Sequence, residues 1–588
     1  MLNERSWYKQ FNQYHWFVLI VCTLGWMFDC FDQQLFNLAR KTAVTSLLGV
    51  EEGNPLVDQY STIATSVLLI GWATGGIIFG ILGDRIGRAK TIIFTLLAYS
   101  VFSGLSGYAP NLWAFLALRF LAGLGVGGQF AIGVTLVSES IPENTRTQAL
   151  GMLQALSAVG NIAAGLIYLF AVQYIFRNSA NEVWRYIFTV TVFPAVILVV
   201  LVLRYLHEPE AWLKAHAERK SPGKKGGMTE MLTDPRWAKR ATIGLLLAAA
   251  GVLGLWAIGV FSNDLTQTVF RKNALKEDLA EGKNKIDRVF AVQLVNSGDK
   301  LNKLGDQVLQ IKPKQLIDSN PDEPDAQMLV SGVKELYRNW LKGRNQGQSE
   351  ERNVADAVSY RQDMPITPEK VLAYLSQKTA THEPQTAEDL KRREALLAAG
   401  TPDAPPLETQ LTALLERQKQ HDRFALSWTC VNLILFNIGA FFGIYAFAKV
   451  THFIGRRPTF AIFFLIDAAC TIIYFLFMKQ RSQLYWMSPM LGFAQLSVYG
   501  GYAIYFPELF PTRMRSTGTS FCYNFARYIG AAGCFSLGLL ATAFYGSNLG
   551  CDEVARFRYA GVTMCACFLV GLITLFFAPE TKDQPLPE

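Results

Sequence analysis

Twelve long apolar runs constrain this 588-residue chain more than any other feature. They lie near 16–38, 59–82, 91–108, 112–138, 147–174, 184–206, 240–263, 424–448, 459–478, 485–506, 516–545 and 557–578. An apolar run of roughly 18 or more residues can cross the hydrocarbon of a bilayer as a helix. Backbone groups in lipid must bond within their own segment, so each run reads as a helix. A soluble protein would have to bury all twelve in a core, which a series of this length argues against. Six runs precede a basic central segment and six follow it. The expected fold is therefore an all-α membrane protein of twelve transmembrane helices in two six-helix halves, with a mainly helical extramembrane insert.

Charge separates the insert from the rest. Residues 265–423 carry 24 basic and 24 acidic side chains, whereas the remainder carries 31 basic and 23 acidic, so the net +8 belongs to the apolar part. Basic residues in short loops mark the cytoplasmic side. Arg85, Arg88, Lys90, Lys214, Arg219, Lys220, Lys224, Lys225, Arg236, Lys239, Arg240, Lys449, Arg456, Arg457, Arg513 and Arg515 all fall on one side, against Arg40, Lys41, Arg177 and Arg185 on the other. The count predicts a multi-pass protein with both termini cytoplasmic, an uncleaved first run, and an insert in the periplasm of a bacterium with the chain in its inner membrane. The boundaries expected are 1–206 for an N-terminal bundle, 207–239 for a cytoplasmic loop, 240–264 for helix 7, 265–423 for the insert and 424–588 for helices 8–12.

Within the insert, Leu294–Leu309 and Leu390–Gln420 read as helices, and it holds no cysteine. It is too polar to span and is expected to meet an unknown periplasmic partner. The nine cysteines sit in or beside the apolar runs with no metal-ligand spacing, so they read as packing residues. No phosphate loop or nucleophile–base spacing appears, which disfavours an enzyme, an ATP-driven machine and any cofactor. The basic central segment is explained by topology and lipid contact rather than nucleic acid.

The chain repeats itself. Gly83-Asp84-Arg85-Ile86-Gly87-Arg88-Ala89-Lys90-Thr91 follows the second run, and Thr451-His452-Phe453-Ile454-Gly455-Arg456-Arg457-Pro458-Thr459 follows the eighth. Glu139, Pro142 and Arg146 share their spacing with Glu508, Pro511 and Arg515. Two repeated halves are a transporter architecture, with the site near the midplane. Charge pairs at such helix ends can hold one conformer and break in another. Topology alone is the alternative reason for basic loops.

These residues resemble the major facilitator superfamily. Gly80-Ile81-Leu82-Gly83-Asp84-Arg85-Ile86-Gly87-Arg88 is similar to its signature between helices 2 and 3, with His452 replacing the Asp in the second copy. Arg119 to Gly128, Pro507 to Arg513 and Pro579-Glu580-Thr581-Lys582 resemble signatures of its sugar-porter and organic-ion branches. The resemblance implies alternating access gated by Gly83, Asp84, Arg85, Gly87, Arg88, Glu139, Arg146, Arg456, Glu508, Arg513 and Arg515.

Ionisable residues inside spans are costly and are functional candidates. Asp29 and Asp32 share a face of the first helix, where two carboxyls resist ionising together. Phe28-Asp29-Cys30-Phe31-Asp32 resembles the D-G-[YF]-D motif of aromatic acid/proton symporters, with Cys30 in place of Gly. Arg119 lies at a matching depth in helix 4. A reversible Asp32–Arg119 pair is expected to couple protons, and a static buried pair is the alternative.

Arg527, about mid-span in helix 11, suits a carboxylate through two parallel hydrogen bonds. Gln33, Gln129, Gln154, Asn161, Trp256, Asn437, Gln495, Tyr499, Tyr502, Tyr523 and Asn524 are the other candidate substrate contacts, with Asn432 and Tyr505 as further polar groups. Asp467 is a possible structural partner of Arg527. The function expected is proton-coupled transport of a small organic anion by a monomer. The alternatives are a sugar or polyol symporter and a transporter-like receptor that senses through the insert.

Overall fold

The computed structural model describes residues 10–49, 55–175, 183–209, 212–213, 228–280, 407–540, 544–545, 553–584 and 587. Every element among them is helical. The first half holds α1 (Gln13–Leu48), α2 (Pro55–Ile86), α3 (Arg88–Ser106), α4 (Leu112–Ser140), α5 (Glu143–Phe170), α6 (Val183–Val190) and α7 (Val192–Tyr205). After the short α8 (Met228–Thr233) come α9 (Pro235–Val252), α10 (Val260–Ala280), α11 (Leu407–Ile454), α12 (Arg456–Phe477) and α13 (Arg481–Leu509). The chain closes with α14 (Arg515–Ser520), α15 (Ala526–Leu539), α16 (Glu553–Met564) and α17 (Cys567–Leu575).

As far as they are described, the twelve apolar runs fall on these helices or on the π-helical stretches that continue them. Nine helices among the described residues are long and apolar enough to cross a bilayer. The run at 184–206 is divided between α6 and α7, and that at 516–545 is divided by a π-helical stretch, Phe521–Phe525. Another π-helical stretch, Leu253–Gly259, joins α9 to α10. The chain is thus a multi-pass, all-helical integral membrane protein.

Polar residues set the helix starts. Asn111 accepts from Ala114 N at 2.9 Å to cap α4, and Asp234 accepts from Arg236 N at 2.9 Å to cap α9, with Pro235 at the first helical position. Glycines set the packing distances. A Cβ on Gly75 of α2 would lie 1.9 Å from the Leu124 carbonyl of α4, and one on Gly439 of α11 would lie 1.8 Å from the Pro489 carbonyl of α13. Only glycine lets these backbones touch. The Gly439 contact lies one turn along from the equivalent place, and Gly443, whose Cβ would lie 2.1 Å from the Phe493 carbonyl, is the counterpart of Gly75, so the repeat seen in the loops extends to the packing.

Two compact units emerge, one of 1–268 with 427–588 and one of 269–426. In the second, α10 runs on to Ala280 and α11 starts at Leu407, so helix continues past the apolar runs and past the expected edges of the insert. His421 Nε2 and Asp278 Oδ2 join these two helices at 2.7 Å. Of the stretch Leu390–Gln420, residues 407–420 are helix. Leu294–Leu309 and the other insert residues between 281 and 406 lie outside the described residues, as do Arg177, Lys214, Arg219, Lys220, Lys224 and Lys225. The eight described cysteines are buried free thiols.

Candidate functional site

Buried within the first unit lies Arg527, 1% exposed. Its position on α15, just past the π-helical stretch, turns the guanidinium onto two aromatic rings. Its Cζ is 3.9 Å from the Trp72 ring centroid and 4.2 Å from that of Tyr523. Nη1 donates to the Tyr523 carbonyl at 3.1 Å and to Asn524 Oδ1 at 2.7 Å. Nε is buried with no hydrogen-bond partner. No carboxylate lies within ion-pair distance among the described residues. Asp467, the expected structural partner, instead accepts from Thr471 Oγ1 at 3.2 Å within α12. A buried guanidinium needs an anion or a desolvated face of rings to offset its charge, and here it has only the rings.

Around it the two halves meet through aromatic rings. Tyr523 stacks on Phe130 at 4.1 Å, and Trp72 meets Trp256 edge-on at 5.6 Å. Tyr499 lies edge-on to Tyr523 at 5.9 Å. Other candidates turn elsewhere. The Tyr502 hydroxyl donates to the Leu247 carbonyl at 2.6 Å and that of Tyr505 to the Pro579 carbonyl at 2.7 Å. Gln129 Oε1 accepts from Thr95 at 2.7 Å inside the first half, and Gln495 Nε2 donates to Thr471 at 3.3 Å inside the second. Asn161 Nδ2 donates across the halves to Asn437 Oδ1 at 2.7 Å. Gln154 is buried and Gln33 half-buried. Asn432 accepts from Ser488 and Tyr474 and donates to Asn263, joining four spans.

A second cluster holds Asp29, Asp32 and Arg119, all buried. Asp32 and Arg119 are not in direct contact. Ser103 of α3 stands between them: its hydroxyl donates to Asp32 Oδ1 and accepts from Arg119 Nη2 at 3.1 Å. Ser106 also accepts from Arg119, at 2.6 and 3.0 Å. The Phe188 ring faces the guanidinium at 4.4 Å. Both Asp29 oxygens are buried without a hydrogen-bond partner among the described residues, a costly state for a carboxylate.

The residues expected to gate gather at one end. Arg88 donates to both oxygens of Glu139, at 3.1 and 3.0 Å, and to the Gly83 carbonyl at 2.9 Å. Arg456 repeats this with Glu508, at 3.1 and 2.8 Å, and with the Thr451 carbonyl at 3.1 Å. Gly87 and Gly455 precede the two arginines at φ 113 and 95, a region that favours glycine. Glu208 then accepts from Arg88 N at 2.7 Å and Ala89 N at 3.1 Å, and Glu580 accepts from Arg456 N at 2.9 Å and Arg457 N at 3.1 Å. Each half thus has the same bracket of one arginine and two glutamates.

Contacts between the halves close this end. Asp84 Oδ2 accepts from Thr517 N at 2.8 Å and Oγ1 at 2.6 Å. Arg515 reaches Glu139 at 3.4 Å, and Arg88 donates to the Thr512 carbonyl at 3.2 Å. Arg513 pairs with Glu230 of α8 at 2.8 Å, and Arg146 is half-buried near Arg515. Arg85 is exposed and makes no ion pair with a described residue. Elsewhere Arg40 of α1 pairs with Asp264 of α10 at 3.4 Å and donates to Thr65 at 3.1 Å. Arg40 is therefore a buried, paired group rather than the loop charge that the topology count assumed.

Sequence reasoning missed Ser103, Thr517, Trp72, Glu208 and the Arg40–Asp264 pair. Glu208 had a usable signal: it follows the last span of its half as Glu580 does.

A family model described as Major Facilitator Superfamily matches residues 23–274, and one described as Sugar (and other) transporter matches residues 419–588. A niacin transporter of Acinetobacter baylyi is 33% identical over 191 residues, which is 32% of this chain and 40% of that protein. A gentisate transporter of Corynebacterium glutamicum is 31% identical over 244 residues, 40% of this chain and 53% of that protein. The chain thus spans about half or less of the length of these relatives. In fold it is similar to the xylose transporter XylE from E. coli in a partially occluded inward open conformation, at 13% identity and a TM-score of 0.51 over 98% of this chain and 100% of that one.

Proposed function

The chain belongs to the major facilitator superfamily, and from that premise we propose that it is a secondary transporter of a small organic anion, a planar carboxylate, moved with protons by alternating access. The observation that carries the reading is Arg527: a buried guanidinium with no carboxylate partner among the described residues, lying against the rings of Trp72 and Tyr523. Such a site fits a carboxylate on an aromatic ring, because the cation binds the anion while the surrounding rings stack on its plane. Niacin and gentisate, the solutes that name two relatives, are both of this kind.

Asp29 and Asp32 are the proton carriers in this reading. Protonating Asp32 removes the charge that Arg119 feels through Ser103, which changes the grip of α1 on α3 and α4. The brackets at Arg88 and Arg456, with Asp84 and Glu139, hold the cytoplasmic end closed, and the Arg40–Asp264 pair holds the opposite end. The protein sits as a monomer in a bacterial inner membrane, both termini cytoplasmic. The two six-helix bundles, 1–206 and 240–264 with 424–588, rock about the site, and the insert at 265–423 meets a periplasmic partner.

Binding to the purified full chain tests this. Nicotinate and gentisate should stabilise it against heat, since ligands stabilise the state they bind. Arg527→Ala should weaken both by about 100-fold, as loss of a buried charge-assisted pair costs roughly 3 kcal/mol. A sugar symporter would answer to xylose and ignore both acids. A carrier would keep uptake when residues 266–422 are deleted, whereas a receptor would lose its input.

A further inference from the structure

The second half holds a buried carboxyl that neither the gate nor the anion site uses. Asp467 of α12 is 1% exposed, and no cation lies among the groups that act on it. Its contact is a short polar relay: Gln495 of α13 donates to Thr471 Oγ1 at 3.3 Å, and Thr471 donates to Asp467 Oδ1 at 3.2 Å. The titratable groups facing it are Cys470 on its own helix, Tyr499 and Tyr502 of α13, Cys565 after α16 and Cys567 of α17. These are thiols and phenols, none of which brings a positive charge. An isolated carboxylate in such a place is costly, and a proton removes the cost.

What Asp467 faces is as informative as what it lacks. A Cβ on Gly254 would come 3.6 Å from Asp467 Oδ2, and one on Gly259 would come 2.3 Å from Gln495 Oε1. Both glycines lie in the π-helical stretch Leu253–Gly259, so the relay leans on that stretch near both of its ends. A π-helical turn breaks the regular ladder of backbone bonds and is a frequent feature of functional positions. The same stretch carries Trp256, which touches Trp72, the ring beneath Arg527. An ionised carboxyl only accepts hydrogen bonds, whereas a protonated one also donates, so gaining a proton changes which neighbours Asp467 can hold.

We propose that Asp467, with Thr471 and Gln495, forms a second proton-binding position, which sets the π-helical stretch of the seventh span and through Trp256 and Trp72 the shape of the anion site. The coupling to substrate rests on the anion reading of Arg527; the proton does not. Binding adds one proton to one carboxylate oxygen and removes one negative charge. Asp467 acts through the helix it faces and is a positioning residue.

Two measurements on the full chain separate these parts. Infrared difference spectra without ligand, recorded as pH is changed, should show a protonated-carboxyl C=O band with a component that Asp467→Asn removes. The Asp29→Asn and Asp32→Asn variants should retain that component. A band identical in wild type and Asp467→Asn across the range overturns the proposal. If Asp467→Asn does not fold, Thr471→Ala keeps the carboxyl and should shift the band, and an unshifted band overturns it equally.

In proteoliposomes, Asp467→Asn should keep nicotinate exchange but lose about tenfold in accumulation per pH unit of gradient, the share of one coupled proton. Asp467→Glu should restore accumulation with a displaced pH profile. Wild-type accumulation in Asp467→Asn overturns the coupling. Absence of any nicotinate or gentisate binding by the wild type overturns the anion reading instead, and the infrared result still decides Asp467.

Discussion

Removing Glu139 should destabilise the protein far more than removing its counterpart Glu508. The Glu139 side chain is 0% exposed and holds two arginines, Arg88 at 3.0 and 3.1 Å and Arg515 at 3.4 Å. Glu508 is 14% exposed and pairs with the one arginine of its bracket, Arg456. Breaking a buried pair leaves an uncompensated charge and costs about 3–5 kcal/mol. Hydrogen bonds to charged groups contribute about 1.5–3 kcal/mol each, so the two Arg88 bonds give the same range. Asp84, 3.1 Å from Arg88, offsets part of the loss, which puts Glu139→Ala near 3 kcal/mol. Glu508→Ala opens a bracket that solvent partly reaches, and its cost should be about 1–2 kcal/mol. Unfolding of each purified variant by titration with sodium dodecyl sulfate, followed by tryptophan fluorescence, measures the difference. Equal losses at the two positions, or a Glu139 loss below about 1 kcal/mol, would refute the reasoning that burial and the second arginine distinguish the brackets.

Two further outcomes are expected. Asp32→Asn should abolish accumulation driven by a pH gradient in proteoliposomes while leaving exchange of labelled nicotinate intact, and Ser103→Ala should weaken the same coupling by separating Asp32 from Arg119; unchanged accumulation in Asp32→Asn would remove Asp32 from the proton path. Glu580 lies beyond the last span, where partial burial pushes its carboxyl up but four backbone N–H donors outweigh that and hold it below its ordinary value of 4.5. A carboxyl lowered by folding stabilises above its unfolded value and loses that contribution as pH falls, so the gap in melting temperature between wild type and Glu580→Gln should be full at neutral pH and shrink below about pH 4.5; a gap independent of pH would contradict the capping role.

The fold was largely legible because each span has to be apolar whatever it packs against. The runs therefore marked the helices, and glycines such as Gly75 and Gly439 had no purpose in a loop reading. Arg527 was legible for the converse reason: an arginine deep in an apolar run is too costly to be incidental. Side-chain direction was not legible. Gln495 and Gln129 have the polarity of substrate contacts, but the rotation of their helices turns them into their own halves. Tyr502 and Tyr505 spend their hydroxyls on carbonyls of other segments, which sequence position does not reveal. Ser103 was hidden because a serine costs little in a helix, and the Arg40–Asp264 pair because its members lie 224 residues apart. Residues 281–406 of the insert fall outside the described residues.

The repeated brackets carry an unequal fastening. Asp84 takes two hydrogen bonds from Thr517, whereas its counterpart His452 is exposed and stacks edge-on against its own neighbour Phe453. Across the other seam, Arg456 reaches Thr147 at 3.5 Å, at the limit of a hydrogen bond. One side of this closure is bolted and the other merely shut. At this end the halves then part more cheaply where α12 meets α5 than where α2 meets α14, and the opening follows a tilt about the Asp84 side rather than an even separation. Duplication made two equal frames, and the exchange of one aspartate for a histidine gave the pair a door and a hinge side.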